Sequence, residues 1–340
     1  MSDMITVKKK HFNTMIRRQQ LNRYLGVIVV IVACLCSQAF SASVSTDLIV
    51  DTEFVIDKKG KPGWVLVDMR VVEDFGKGHI PGAVGLPAWV SKAFADDTKR
   101  QLSSVTRMEK TLGEMGIGSD SNIIVYGDPK HVSWNAVMFW ALELFGCNSK
   151  LKKCTVQYYD GGIDRWKAEG GTLDQAETKP KPATFKVVDG TNRGVKGEEI
   201  LQIVKSKETI IIDVRTPNEY KGLDVRALRG GHIPGAINID FSKNFDAETF
   251  RMLPLEQLQG IYKNVPKSSR VVVHCQTGQR ASYAYLVLRA LGYENAANYH
   301  DGWRVYGSDL RFPVEDETWY DFNKVNSTIK AFNKMQEKVN

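Results

Sequence analysis

Hydrophobic and polar positions along this chain fall into two long blocks with the same internal order. Each block opens on a short apolar run that ends at aspartate, Val65-Leu66-Val67-Asp68 in one and Ile210-Ile211-Ile212-Asp213 in the other. A second β-branched run follows, Ile123-Ile124-Val125 or Val271-Val272-Val273. An amphipathic helical pattern then stops at glycine: Ser133 to Phe145 before Gly146, and Ala281 to Leu291 before Gly292. Glycine in that place closes a helix because it enters the left-handed conformation at little cost. The segments VQYYDGG (156–162) and ANYHDGW (297–303) complete each block. Short apolar strands alternating with helices predict an α/β fold, a mainly parallel sheet with helices on both faces. A repeat of about 150 residues is too long for a solenoid unit and implies two tandem domains.

The copies also share a turn sequence. VLVDMRVVEDFGKGHIPGAVGLP (65–87) matches IIIDVRTPNEYKG (210–222) followed by GHIPGAINID (231–240). Asp68 lies 11 residues before His79 and Asp213 lies 19 before His232, so the second copy carries eight extra residues near Leu223 to Gly230. The stretch Gly170 to Lys186 is rich in Pro, Lys and Thr without apolar period, which suits a linker. GEEILQIVKS has helical spacing and opens the second domain. Phe322, Val325, Ile329 and Phe332 lie three to four residues apart, predicting a helix over Trp319 to Lys338 that packs on the body. The resulting division is a leader at 1–41, an N-terminal domain at 45–172, a linker at 173–193, a C-terminal domain at 194–312 and a helical tail at 313–340.

Charge changes the picture only at the start of the chain. The formal charge is +7, but residues 1 to 41 hold six of the 46 Lys/Arg and one of the 39 acids, a net of +5. The rest, at +2, offers no basic field for nucleic acid. The leader is a basic stretch ending at Arg23 and an apolar run from Tyr24 to Cys36, shorter than the roughly 20 residues a membrane span needs. Three readings stand: a signal cleaved after Ala39-Phe40-Ser41, a lipobox Ile31-Val32-Ala33-Cys34 with Cys34 lipidated, or an uncleaved anchor. Met15 is an alternative start, and Arg17-Arg18 with Leu21 echoes a twin-arginine signal. All of them put the body outside the cytoplasm, with membrane contact only through the leader or a lipid.

The stretch Val271-Val272-Val273-His274-Cys275-Gln276-Thr277-Gly278-Gln279-Arg280-Ala281 carries the most chemistry. It sets a cysteine at the carboxyl end of a buried parallel strand, where open α/β sheets form their ligand sites. The loop then enters a helix, so its amides and the helix N-terminus favour a thiolate and an anion above it. Arg280 adds a fixed positive charge.

The twin GHIPGA segments, the D-x-R strands and the CQTGQR loop resemble a tandem rhodanese, a thiosulfate- or mercaptopyruvate-type sulfurtransferase, over about residues 45 to 312. The resemblance implies two rhodanese-like domains and a persulfide formed on Cys275. Gln276, Thr277, Gly278, Gln279 and Arg280 match the substrate-binding cradle, and Asp213 and Arg215 match strand residues that support the domain. The family transfers a sulfane sulfur from a small donor such as thiosulfate to a thiol or cyanide-like acceptor, or to a protein acceptor, without a cofactor. The loop departs from familiar two-domain members, in which Cys-Arg or Cys-Gly-Ser-Gly-Val-Thr is common; Gln276 and Arg280 are closer to single-domain forms and leave the donor open. Asp68, His79 and Thr277 occupy the positions of a relay proposed for mercaptopyruvate enzymes. In the first copy Tyr126-Gly127-Asp128-Pro129 stands opposite His274-Cys275-Gln276-Thr277, so Gly127, or Asp128 at a one-residue offset, replaces the cysteine and that domain is silent.

Other residues read more plainly. His79 and His232 hold the GHIPGA turns by hydrogen bonds, and His274 is a strand residue rather than a base. Trp134, Phe139, Trp140 and Trp166 are core and interdomain contacts. Cys147 and Cys154 flank a loop absent from the second copy; two readings are a disulfide, suited to an oxidising compartment, and two free surface thiols. Metal and nucleotide motifs are missing. Two alternatives to sulfurtransferase remain. One is a sulfur carrier or scaffold. The other is a cysteine phosphatase or arsenate reductase, which needs five residues between Cys and Arg where this chain has four.

Overall fold

The computed structural model describes residues 46–86, 104–176 and 178–321. The leader with Cys34, and the tail from residue 322, lie outside them. In the first half, strands β1 (Ile49–Val50), β2 (Trp64–Asp68), β3 (Val84–Gly85), β4 (Asn122–Tyr126) and β5 (Thr155–Tyr159) alternate with helices. These are α1 (Thr52–Lys58), α2 (Val72–Lys77), α3 (Val105–Glu114), α4 (Val132–Leu144) and α5 (Gly162–Ala168). The strands form one parallel sheet in the order β1-β5-β4-β2-β3.

The second half repeats the plan. After α6 (Gly197–Ser206) come β6 (Ile210–Asp213), α7 (Pro217–Tyr220), β7 (Arg229–His232) and β8 (Ile237–Asn238). Then follow α8 (Leu255–Ile261), β9 (Val271–His274), α9 (Gln279–Ala290), β10 (Ala296–Tyr299), α10 (Gly302–Tyr306) and β11 (Glu315–Trp319). The parallel order is β10-β9-β6-β8, while β7 and β11 make a separate antiparallel pair. The extra residues of the second copy thus lead into a strand paired near the end of the described chain. Here the structure departs from the helical tail expected over 313–340. Its first part is extended because β7 offers an edge to pair with.

Alternation along the central strands divides the core. Ile123 and Val125 face one cluster while Ile124 and Tyr126 face another; Val271 and Val273 likewise separate from Val272. The inner clusters of the two halves merge, with α4 and α9 between the sheets. The two helices are therefore not amphipathic, contrary to the sequence pattern. Every residue from Ala281 to Ala290 is buried, and α4 is buried from Ala136 through Glu143. A helix enclosed on all sides has no solvent stripe to mark with polar residues. The linker also differs from a free tether: Phe185 is 2% exposed, and backbone bonds join Ala183 to Gly113 and Val188 to Phe145.

A buried polar cluster crosses this apolar seam. Glu143 of α4 accepts hydrogen bonds from Tyr285 Oη and Arg289 Nε of α9, at 2.5 and 3.0 Å. Asn148, in the loop closed by a Cys147–Cys154 disulfide, donates to the same carboxylate at 3.0 Å. Removing one partner of a buried ion pair strands the other, at a cost of about 3–5 kcal/mol. Glu143→Ala is expected to lose that much in a urea or guanidinium titration, and Glu143→Gln less, because the amide oxygen still accepts.

Candidate active site

Local rules place the loop. β9 is buried along its whole length and releases the chain at Cys275, itself 1% exposed. The carbonyl of Cys275 accepts the Trp303 N–H at 2.7 Å and that of Gln276 accepts the Arg304 N–H at 3.0 Å, both from α10. Gly302, with φ +63°, permits this approach: a Cβ there would lie 2.7 Å from the Cys275 oxygen. Peptide planarity sets each N–H opposite the preceding carbonyl. The amides of Gln276 and Thr277 therefore point away from α10. Among the described residues no group accepts a hydrogen bond from the N–H of Gln276, Thr277, Gly278, Gln279 or Arg280. Gly278, at φ +82°, turns the loop into α9; a Cβ on it would fall 2.4 Å from the His300 ring. Gln276 is buried, Thr277 half-buried and Gln279 exposed, so the polar rim opens on the Thr277–Gln279 side.

Side chains tie the loop to the segments before it. Arg280 makes a two-pronged contact with Glu219 of α7, at 2.7 and 2.9 Å. Glu219 is 1% exposed and completes a capping box with Thr216. Burial works against its charge, but the Arg280 guanidinium and the Thr216 amide bring its pKa down to about 2. Burial likewise opposes charge on Arg280; its bonds to Glu219, and after them the charges of Cys275 and Asp213, hold it above its ordinary value. Arg226, in the inserted segment, reaches Glu219 at 3.2 Å while its guanidinium stays half-exposed. Its backbone carbonyl accepts the Gln276 Nε2–H at 2.7 Å.

Sequence reasoning missed Glu219 and Arg226. Thr216-Pro217-Asn218-Glu219 carries the Ser/Thr-x-x-Glu cap pattern that would have flagged the carboxylate; nothing local marks Arg226.

Asp213 and Arg215 lie beneath the loop, not in it. Arg215 bonds both Asp213 oxygens and the Gly231 carbonyl, and its guanidinium rests 4.4 Å from the Trp303 ring. Asp68, Arg70 and Gly78 repeat the arrangement in the first half. His232 stacks on Tyr220 and sets Nδ1 3.1 Å from that residue's carbonyl; His79 does the same with Phe75. Asp68 and His79 are fully buried in the first half, where Asp68 bonds Arg70 and His79 faces the Phe75 carbonyl, so they are not assembled with Thr277 of the second.

The first half shows what the loop becomes without a thiol. Ile163 donates to the Gly127 carbonyl at 3.0 Å as Trp303 does to Cys275, which aligns Gly127, not Asp128, with the cysteine. A Cβ at Gly127 would lie 2.2 Å from Asn135 Oδ1. Asp128 turns its carboxylate onto the Lys130 N–H at 2.8 Å, and so supplies the loop with its own anion.

His274 is wholly buried, its Nε2 3.5 Å from Asp213 and its pKa brought down to about 4 chiefly by burial. His300, stacked on Trp140, is also brought down to about 4 by burial. With folded values below the ordinary 6.5, both rings take up protons more readily in the unfolded chain. The stability they confer is full above pH 6.5 and is lost as pH falls toward 4. Urea midpoints across this range are expected to fall with acidification, and His274→Gln to flatten part of the slope.

Comparison with known proteins agrees with this architecture. The rhodanese-like domain family matches residues 51–169 and 197–309. A thiosulfate sulfurtransferase of Corynebacterium glutamicum is 32% identical over 82% of this chain and 93% of its own. The sulfur carrier protein TtuD of Thermus thermophilus is 30% identical over 79% and 96%. Among solved structures, the anaerobic ergothioneine biosynthesis enzyme of Chlorobium limicola superimposes with a TM-score of 0.68 at 18% identity, over 79% of this chain and 70% of that one, and so shares the fold. With both halves matched and relatives of this similarity along most of its length, the chain belongs to the rhodanese family and is a sulfurtransferase.

Proposed function

We propose that Cys275 carries the transferred sulfur as a persulfide, and that thiosulfate or a similar anionic sulfane compound is the donor. The observation that carries this reading is the row of unspent amides from Gln276 to Arg280, beside the thiol and at the start of a 12-residue helix. The Cys275 thiolate attacks the outer sulfur of thiosulfate; a new S–S bond forms, and sulfite leaves with the electron pair of the broken one. An acceptor thiol or cyanide then attacks the outer sulfur and the Cys275 thiolate departs. Amides fixed before reaction stabilise negative charge without reorganising. Glu219 offsets Arg280, and Arg226 restores positive charge at the rim for an incoming dianion. Because the sulfur is nearly buried, donor entry includes an opening movement of its cover.

The likeness to a protein named as a sulfur carrier favours a second reading, transfer to a protein acceptor only. Export of the body is likewise our inference, supported by the basic and apolar leader and by the Cys147–Cys154 disulfide.

Mass spectrometry after thiosulfate treatment is expected to show a gain of about 32 Da on wild type and none on Cys275→Ser. A persulfide that forms but does not pass to cyanide would favour the carrier reading; absence of the adduct would reject both. In a cyanide-coupled assay Arg226→Ala is expected to raise KM for thiosulfate about tenfold, with a smaller change in kcat, as loss of an exposed charge-assisted contact does.

A further inference from the structure

The first half has a cavity beside the loop that matches the Cys275 loop. It encloses about 350 Å³ at the carboxyl ends of β4 and β5, walled by the loop after β4, by α5 and by residues 248–251 of the second half. With Gly127 standing for Cys275, Pro129 and Lys130 stand for Thr277 and Gly278. The cavity thus lies beside the counterpart of the Cys275 loop, at the edge where open α/β sheets take ligands. It offers different chemistry. Asp128 already occupies the Lys130 amide, so the charges that remain for a ligand are side chains.

Those side chains favour one class of molecule. Arg165 is committed to Glu169 at 2.8 Å and Asp164 to Lys167 at 2.7 Å. Arg251 is less engaged: 46% exposed, with Nε 3.6 Å from Asp160. Lys130 is exposed on the opposite wall, with Glu248 exposed at the edge. Phe250, also on the lining, has φ +56°. A bulky residue in the left-handed region is strained and persists only where its surroundings impose it. Here a tight turn does so: Phe250 N–H bonds the Asp246 carbonyl and Asp246 N–H bonds that of Arg251. The turn puts Phe250, whose ring stacks on Phe245 at 5.7 Å, and the loosely held Arg251 side by side on the cavity's lining.

We propose that this cavity binds a small organic carboxylate with an apolar or aromatic body, its carboxylate on Arg251 and Lys130 and its body against Phe250. The site does not involve Cys275 and stands or falls apart from the persulfide reading. Titration of the full chain with benzoate, followed by ligand-observed NMR, tests it. Saturable binding is expected in wild type and in Cys275→Ser, and about tenfold weaker binding in Arg251→Ala and in Phe250→Gly. Glycine accepts the positive φ, so Phe250→Gly retains the turn while removing the aromatic wall. Benzyl alcohol, lacking the charge, is expected to bind about tenfold more weakly than benzoate. The proposal is overturned if benzoate does not saturate, if Phe250→Gly or Arg251→Ala binds as wild type does, or if binding is lost in Cys275→Ser.

Discussion

The pair of backbone bonds from α10 to the carbonyls of Cys275 and Gln276 is the constraint on which the site depends. Two carbonyls drawn to one side commit the following amides to the other, without help from any side chain. Gly302 lets α10 come close enough, and Gly278 lets the chain turn into α9 before the amides are used up. The Asp213–Arg215 pair braces this from below: Arg215 ties β6 to Gly231 and rests on Trp303, whose own amide holds Cys275. The thiol's surroundings therefore follow from the packing of strand ends and one short helix, which the two halves share.

Charge around the thiol is arranged as a chain with alternating sign. Arg280 alone would leave a strong cation near Cys275, but Glu219 accepts two hydrogen bonds from it and is kept ionised by it. The inserted segment then contributes a second guanidinium at the solvent side and fixes Gln276 through a backbone carbonyl. The insertion is held in turn by β11, through the β7 ladder and a bond from Thr318 to Gly222. Residues more than thirty positions beyond Cys275 thereby steady the loop that precedes α9.

Much of this was legible in the sequence. The repeat, the strand ends and the glycine-containing loop are local patterns whose physical meaning does not depend on distant residues, and they led to the fold and to Cys275. What was not legible depends on partners far along the chain. Glu219 meets Arg280 across 61 positions, and Arg226 acts through a backbone oxygen that any residue would have supplied. The enclosure of α4 and α9 was hidden for a related reason: an apolar helix reads as one-sided until the second sheet that covers its other side is known. The strand at Glu315–Trp319 was missed because it opens with three consecutive acids and has no apolar alternation; it pairs with an edge instead of entering a core.

The crowding at Gly127 sets a steric limit on what that position can hold. Asn135 now fills the volume a side chain would need and bonds the Asp128 carbonyl, while Asp128 has taken over an amide. The loop of that copy is thus packed around a glycine. A cysteine placed at Gly127 alone would clash with the Asn135 amide, so a thiol in this copy would need a second change at position 135 to make room.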